Sequence, residues 1–313
     1  MTASVSAPAA VAATAVALYG ITDVRLARLG GLDTINYRVD TSDAGRYLLR
    51  LHDPSRHQRA SVASELVWLA HLAADTTLVL PRPVLNLFGQ SVTMVESAAG
   101  TSVVCTLMHW VEGEPLSETM TDEHARQAGV VMARLHASPF MPPPGFVRPT
   151  HDAGYFSRCL TVILGAFADD LSRDHARALE RGTTALAAFE SGLPRTPATF
   201  GLIHADFHQG NYVLHGDELH VIDFGRCAFG HHAFDIATAL ELDAAQREAF
   251  LAGYAAIRQV PPGLERHGDA FTCMTYLDNL GFLVTRPEER TYVRATLPAV
   301  ADALGRYADQ HAG

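Results

Sequence analysis

Hydrophobic positions alternate with polar ones through much of the first hundred residues. The stretch "VRLARLGGLDTINYRVDT" (24–41) holds two such runs, broken at Gly30-Gly31, and "GRYLLRLHDP" (45–54) holds a third, bounded by Gly45 and Pro54. A period of two predicts strands, and the glycines and prolines punctuate them. The period then changes. In "ASVASELVWLAHLAAD" (60–75) the apolar residues Val62, Leu66, Leu69 and Leu72 recur at helical spacing. Two more alternating runs, "QSVTMVES" and "TSVVCTLMHW" (90–97 and 101–110), complete an expected antiparallel sheet of about five strands. After "EGEPL" the pattern is helical. "TDEHARQAGVVMARLHAS" (121–138) begins with Thr121 as N-cap and Glu123 in its first turn. A Pro-rich loop, "SPFMPPPGF", separates it from three more helical segments, near residues 175–190, 242–257 and 290–310. Pro8 to Leu18 reads as a short amphipathic helix leading into the fold. The expected fold class is therefore α+β. A smaller β-rich lobe with one main helix spans residues 1–110, a larger and mainly helical lobe spans 111–313, and the two join near Trp110 to Gly113.

Composition narrows the chemistry. The chain has 313 residues and a net charge of −10, which disfavours a protein that coats nucleic acid. Its first 22 residues carry no charged side chain, so the cationic start of a signal peptide is missing there, and the segment is too weakly apolar for a membrane span. The expectation is a cytoplasmic protein, a monomer or homodimer, with neither nucleic acid nor membrane as partner. The four cysteines are scattered without CxxC spacing, which points to reduced, packed thiols. All 24 basic residues are arginine. A Walker A loop and a pyridoxal Schiff base each need a lysine, so both classes are excluded.

The densest chemistry lies in "GLIHADFHQGNYVLHGDELHVIDFG" (201–225). His204 and His208 have the i, i+4 spacing of a zinc helix, but the intervening glutamate is absent and Gly210 follows at once. "NYVLHGDELHVIDFG" reads instead as a hairpin, with strands at Tyr212–Leu214 and Leu219–Ile222 and a turn at Gly216-Asp217. His215 and His220 are then ordinary strand residues. A hairpin brings its ends together, so Asn211 and Asp223 should converge, with Asp206 nearby. A hard divalent cation such as Mg²⁺ takes oxygen ligands of this kind. The remaining carboxylate is left to orient a hydroxyl, which is the division of labour in phosphoryl transfer.

The pattern H-x-D-x4-N followed by [IVL]-D-[FWYL] is met by His204, Asp206, Asn211, Ile222, Asp223 and Phe224. In this the chain resembles the aminoglycoside phosphotransferase, choline kinase and homoserine kinase superfamily, which has the protein-kinase-like bilobal fold. The resemblance implies an ATP-dependent phosphotransferase acting on a hydroxyl of a small molecule, with GTP as the alternative donor. Asp206 would face the acceptor hydroxyl, and Asn211 and Asp223 would hold Mg²⁺. His204 and Asp235 would support the loop, Asp235 also being a helix N-terminal carboxylate favoured by the macrodipole. The small lobe must supply a cation held by a helix glutamate. Without lysine this is Arg50, with Glu65 as partner fifteen residues on; the alternative is an edge-strand arginine in a surface ion pair. Gly31 with Thr34 or Asn36 would cover the phosphates, and backbone groups of Met108 and Trp110 would meet adenine. His208, Gln209, His231, Tyr276, Asp278 and Asn279 are candidate acceptor contacts. The acidic run with Glu241, Asp243 and Glu248 is either an amine attractant or a solvated helix face. No A-P-E follows "DFGRCAFG", so a small acceptor is favoured over a protein. A stress-kinase-like protein kinase and a weakly active nucleotide-binding pseudokinase stay open.

Overall fold

A computed structural model of the chain describes residues 7–116, 120–240 and 242–311. Its contacts group into two units, each discontinuous in sequence. The first holds residues 1–118, 138–148 and 210–225, and the second holds 119–137, 149–209 and 226–313. The expected lobe boundary at residues 110 and 111 thus differs from this grouping. The first unit includes the described residues through Leu116, and the Pro-rich loop and the hairpin belong to it through contacts that local periodicity does not encode.

The first unit is built on an antiparallel sheet. Its strands are β1 (Val24–Arg28), β2 (Thr34–Thr41), β3 (Arg46–His52), β4 (Val92–Glu96) and β5 (Ser102–His109), in the order β1-β2-β3-β5-β4. Helix α1 (Ala7–Leu18) buries Val11, Ala12, Ala15 and Val16 in a core with Tyr37, Val39, Leu49 and Leu107. Helix α2 (Arg59–Asp75) buries Val62, Leu66, Leu69 and Leu72, the stripe its spacing predicts, together with Trp68. The expected hairpin forms from β8 (Tyr212–His215) and β9 (Glu218–Val221), with β6 (Glu114–Pro115) paired to β8. Gly113 precedes β6 with φ +136°, and a Cβ there would lie 2.6 Å from the Leu214 carbonyl oxygen. Only glycine lets the chain pass so close to the hairpin.

The second unit is mainly helical. It contains α3 (Asp122–Ala137), α4 (Ala153–Phe167), α5 (Arg173–Ser191), α6 (His232–Ala239), α7 (Ala244–Ala255), α8 (Leu264–Leu283) and α9 (Arg290–Gln310). Strands β7 (Phe200–Ile203) and β10 (Ala228–His231) pair antiparallel beside α6. The hydroxyl of Thr121 accepts the His124 N–H at 3.1 Å, the cap expected for α3. Helices α3 and α7 approach until Gly129 and Gly253 face backbone. A Cβ on Gly129 would sit 2.0 Å from the Phe250 carbonyl oxygen, and one on Gly253 2.0 Å from that of Arg126. Asp243 caps α7 in a reciprocal capping box with Gln246, and Glu248 is exposed on that helix. Glu241 lies outside the described residues. No helix among the described residues is long and apolar enough to cross a membrane.

Candidate active site

Arg50 lies on the central strand of the first unit's sheet, 7% exposed, so the edge-strand alternative does not hold. Its Nη1 donates to Glu65 Oε1 at 2.7 Å, and its Nη2 stands 3.6 Å from Asp223 Oδ1. Burial opposes the guanidinium's charge, but Glu65 and then Asp223 outweigh it and raise its pKa. A cation buried on this scale persists only because it is paired.

Arg50, Glu65 and Asp223 line a cavity of about 380 Å³ within the first unit. Leu48, Leu69, Val213 and Ile222 give it apolar walls, suited to a flat heterocycle. Met108 and Trp110 line it as well, although the Trp110 N–H is already donated to the Arg46 carbonyl at 3.1 Å. Gly30 and Asn36 line the same cavity, whereas Gly31 and Thr34 line a separate one of about 400 Å³ with Pro8, Leu32 and His52. The Thr34 hydroxyl donates to Asn36 Oδ1 at 2.7 Å, and Asn36 Nδ2 donates to the Gly30 carbonyl at 3.3 Å. The Gly-Gly turn is therefore held by its own side chains, and Asn36 is the member of this group presented to the Arg50 cavity.

The hairpin closes as expected. The Ile222 N–H donates to the Asn211 carbonyl at 3.0 Å, which brings Asn211 next to the residue preceding Asp223. Asp223 is held at φ +61°, a region that aspartate and asparagine tolerate better than most residues. Its side chain is 53% exposed. Its Oδ1 faces Arg50 and accepts the Gly225 N–H at 3.4 Å, which leaves Oδ2 without a protein partner among the described residues. Among those residues, no group of three or more His, Cys, Asp or Glu could hold a metal. The donor set of Asn211 and Asp223 suits a hard cation that takes one or two protein oxygens and completes its shell with phosphate and water.

In the second unit, β7 delivers His204 into a fully buried position. Asp235, also fully buried, accepts the His204 N–H at 2.9 Å on one oxygen and the Ala205 N–H at 2.8 Å on the other. His136 pairs with Asp235 at 3.0 Å, meets the Tyr254 hydroxyl at 2.9 Å and stacks on His232 with ring centres 4.3 Å apart. Burial would raise the Asp235 carboxyl, but these hydrogen bonds hold it below its ordinary value. The loop bearing Asp206 is thus clamped from behind at two consecutive amides.

Asp206 is paired with a residue the sequence reading did not single out. Arg226 Nη1 donates to Asp206 Oδ1 at 3.0 Å, and His208 Nε2 stands 3.6 Å from the same oxygen. Burial would raise the Asp206 carboxyl, but His208 and Arg226 prevail and hold it well below the usual carboxylate range. Arg226 Nη2 donates to Asp278 Oδ2 at 2.5 Å. Asp206 and His208 line a second-unit cavity of about 740 Å³ together with Arg226, Tyr276, Asp278 and Asn279. Gln209 is not among its lining residues, and His231 is buried against Glu190 at 3.3 Å. Glu265 and Asp269, on either side of the irregular backbone at His267 in α8, also line it, as does Arg247. Arg226 could have been suspected from its place directly after "DFG". Glu265 and Asp269 carry no motif and became visible only when α8 formed.

Residues 25–269 match the profile described as the phosphotransferase enzyme family. A homoserine kinase of Methylobacillus flagellatus is 29% identical over 239 residues, covering 73% of this chain and 69% of its own. Among solved structures, a microcompartment-associated aminopropanol kinase superposes with TM-score 0.79 at 24% identity, covering 97% of each chain. An amicoumacin kinase solved with AMP-PNP, Ca²⁺ and Ami superposes with TM-score 0.78 at 18% identity, covering 94% of this chain and 93% of the other. These likenesses extend across both units and give the chain the protein-kinase-like fold.

Proposed function

The chain belongs to the phosphotransferase enzyme family, and from that premise we propose that it moves the γ-phosphate of ATP to the hydroxyl of a small amine-bearing alcohol. What supports this most is the Asp206 carboxylate, ion-paired with Arg226, on the wall of a cavity that Glu265 and Asp269 also line. Those two carboxylates suit an ammonium group, and the volume of about 740 Å³ suits anything from an amino alcohol to a larger amine-bearing metabolite. The relatives named for homoserine and aminopropanol fit the same class of acceptor.

In the proposed reaction, Arg50 pairs the α- and β-phosphates and Glu65 keeps the arginine in place. Asn211 and Asp223 would hold Mg²⁺, which when bound would supply charge neutralisation on the phosphate oxygens. Asp206 accepts a hydrogen bond from the acceptor hydroxyl and aims its oxygen at the γ-phosphorus. The new O–P bond forms as the bond to the β,γ-bridging oxygen breaks, and ADP leaves. A carboxylate held this far below neutrality is a weak base, so Asp206 contributes orientation and negative charge, and takes the proton late. Most of the rate then comes from positioning. The test is an acceptor panel scored by ADP release. Amino alcohols should be turned over with kcat/KM at least tenfold above matched alcohols lacking the amine. Equal turnover of both sets would refute the amine reading while leaving the kinase reading intact.

A further inference from the structure

The Arg226 guanidinium is a rigid plane, and its two terminal nitrogens are committed to two different carboxylates. Nη1 holds Asp206 at 3.0 Å and Nη2 holds Asp278 at 2.5 Å. The Phe282 ring centre lies 4.4 Å from the guanidinium carbon. Because the plane cannot bend, whatever fixes the Asp278 end also fixes the Asp206 end.

Asp278 is fixed. It is 4% exposed on α8, and its other oxygen accepts the hydroxyl of Tyr155 from α4. His151 stacks on Tyr155 with ring centres 4.3 Å apart, and its Nε2 stands 3.8 Å from the same Asp278 oxygen. Both oxygens of Asp278 are therefore engaged by protein, which is a poor arrangement for contacting an acceptor. Charge gives a second reason. Asp206, Arg226 and Asp278 together carry one net negative charge. With Asp278 sharing the guanidinium, Asp206 keeps part of its field for the hydroxyl.

We infer that Asp278 and Tyr155 are positioning residues for phosphoryl transfer, acting through Arg226 to fix the carboxylate of Asp206. This rests on the reading of Asp206 as the group that orients the acceptor. Helix α8 then has two duties, since it also carries Glu265 and Asp269.

The test uses Asp278→Asn and Tyr155→Phe in the full chain, with Asp206→Ala as the reference. Turnover is normalised to active sites by ATP-binding titration, and folding is followed by thermal melting. Asp278→Asn should lower kcat about ten- to a hundredfold, the scale of a misplaced catalytic group. Tyr155→Phe should lower it about threefold to tenfold, and KM for ATP should stay within about twofold in both. In an Arg226→Gln background, Asp278→Asn should change kcat no further, because its effect travels through the guanidinium. A merely structural role would instead reduce the number of active sites and leave kcat per site unchanged. The inference is overturned if Asp206→Ala is inactive while Tyr155→Phe and any folded Asp278→Asn protein keep wild-type kcat per site. If Asp206→Ala itself turns over normally, the reading of Asp206 fails instead.

Discussion

Replacing Glu65 with Gln removes one of the two carboxylates that hold Arg50. In the native protein Glu65 stands at 2.7 Å and Asp223 at 3.6 Å, so the arginine leans toward the helix and leaves Asp223 available to the metal proposed for it. Without the Glu65 charge, Arg50 should close on Asp223 to an ordinary ion-pair distance of about 2.8 Å. At an effective dielectric of about 20, that contraction deepens the attraction from about 4.6 to about 5.9 kcal/mol. Asp223 is half in solvent, so screening reduces the gain of about 1.3 kcal/mol to about 0.6–1 kcal/mol. The arginine then competes with the metal by that amount. The Mg²⁺ concentration for half-maximal turnover at fixed ATP should rise about threefold to fivefold. Stability should fall by about 1–3 kcal/mol, because the amide keeps a hydrogen bond but not the charge of a buried partner. The assay is a Mg²⁺ titration of turnover beside a urea melt. A Glu65→Gln protein with wild-type Mg²⁺ dependence would show that Arg50 is not balanced between the two carboxylates.

Further predictions follow from the second unit. Asp206→Ala should abolish ADP release while ATP still raises the melting temperature, since the cavity proposed for the nucleotide lies in the first unit. Glu265→Gln with Asp269→Asn should raise KM for an amino alcohol about tenfold and leave KM for ATP unchanged, as read from steady-state kinetics. Burial pushes His232 down to about 2 and holds His136 below its ordinary value. Unfolded histidine takes up a proton near pH 6.5, so stability should fall as pH drops from 6.5 to 5, by up to about 1.4 kcal/mol per pH unit for each such residue. His232→Asn should flatten that slope in urea melts at stepped pH. Gly129→Ala drives a methyl group into the Phe250 carbonyl, so it should cost about 3 kcal/mol or more in the same melts.

Local pattern carried the elements whose cause is local. Alternation marked β1 to β5, the 3.6-residue stripe marked α2, and Gly216-Asp217 marked the hairpin turn that draws Asn211 and Asp223 together. Helices α4 and α8 are not among the helices that the sequence pattern predicts. The interior of α8 departs from helical geometry at His267, and its apolar residues make no clean stripe. What remained hidden depends on distant partners. Arg226 gains its meaning from Asp278, 52 positions away, and Asp278 from Tyr155, 123 positions away. The Gly-Gly turn borders two cavities, Gly30 the one with Arg50 and Gly31 with Thr34 the other. The hydrogen bond from Thr34 to Asn36 joins residues that line different cavities, a division that alternation alone does not reveal. The discontinuous units arise the same way, since residues 210–225 join the first unit through pairing with β6.

The most direct test of phosphoryl transfer is to identify the product. Purified chain, ATP, Mg²⁺ and an amino alcohol should give equimolar ADP and a phosphate monoester of the alcohol, seen by phosphorus NMR and mass spectrometry, with none formed by Asp206→Ala. Inorganic phosphate alone, or label on protein with the alcohol unmodified, would contradict the account.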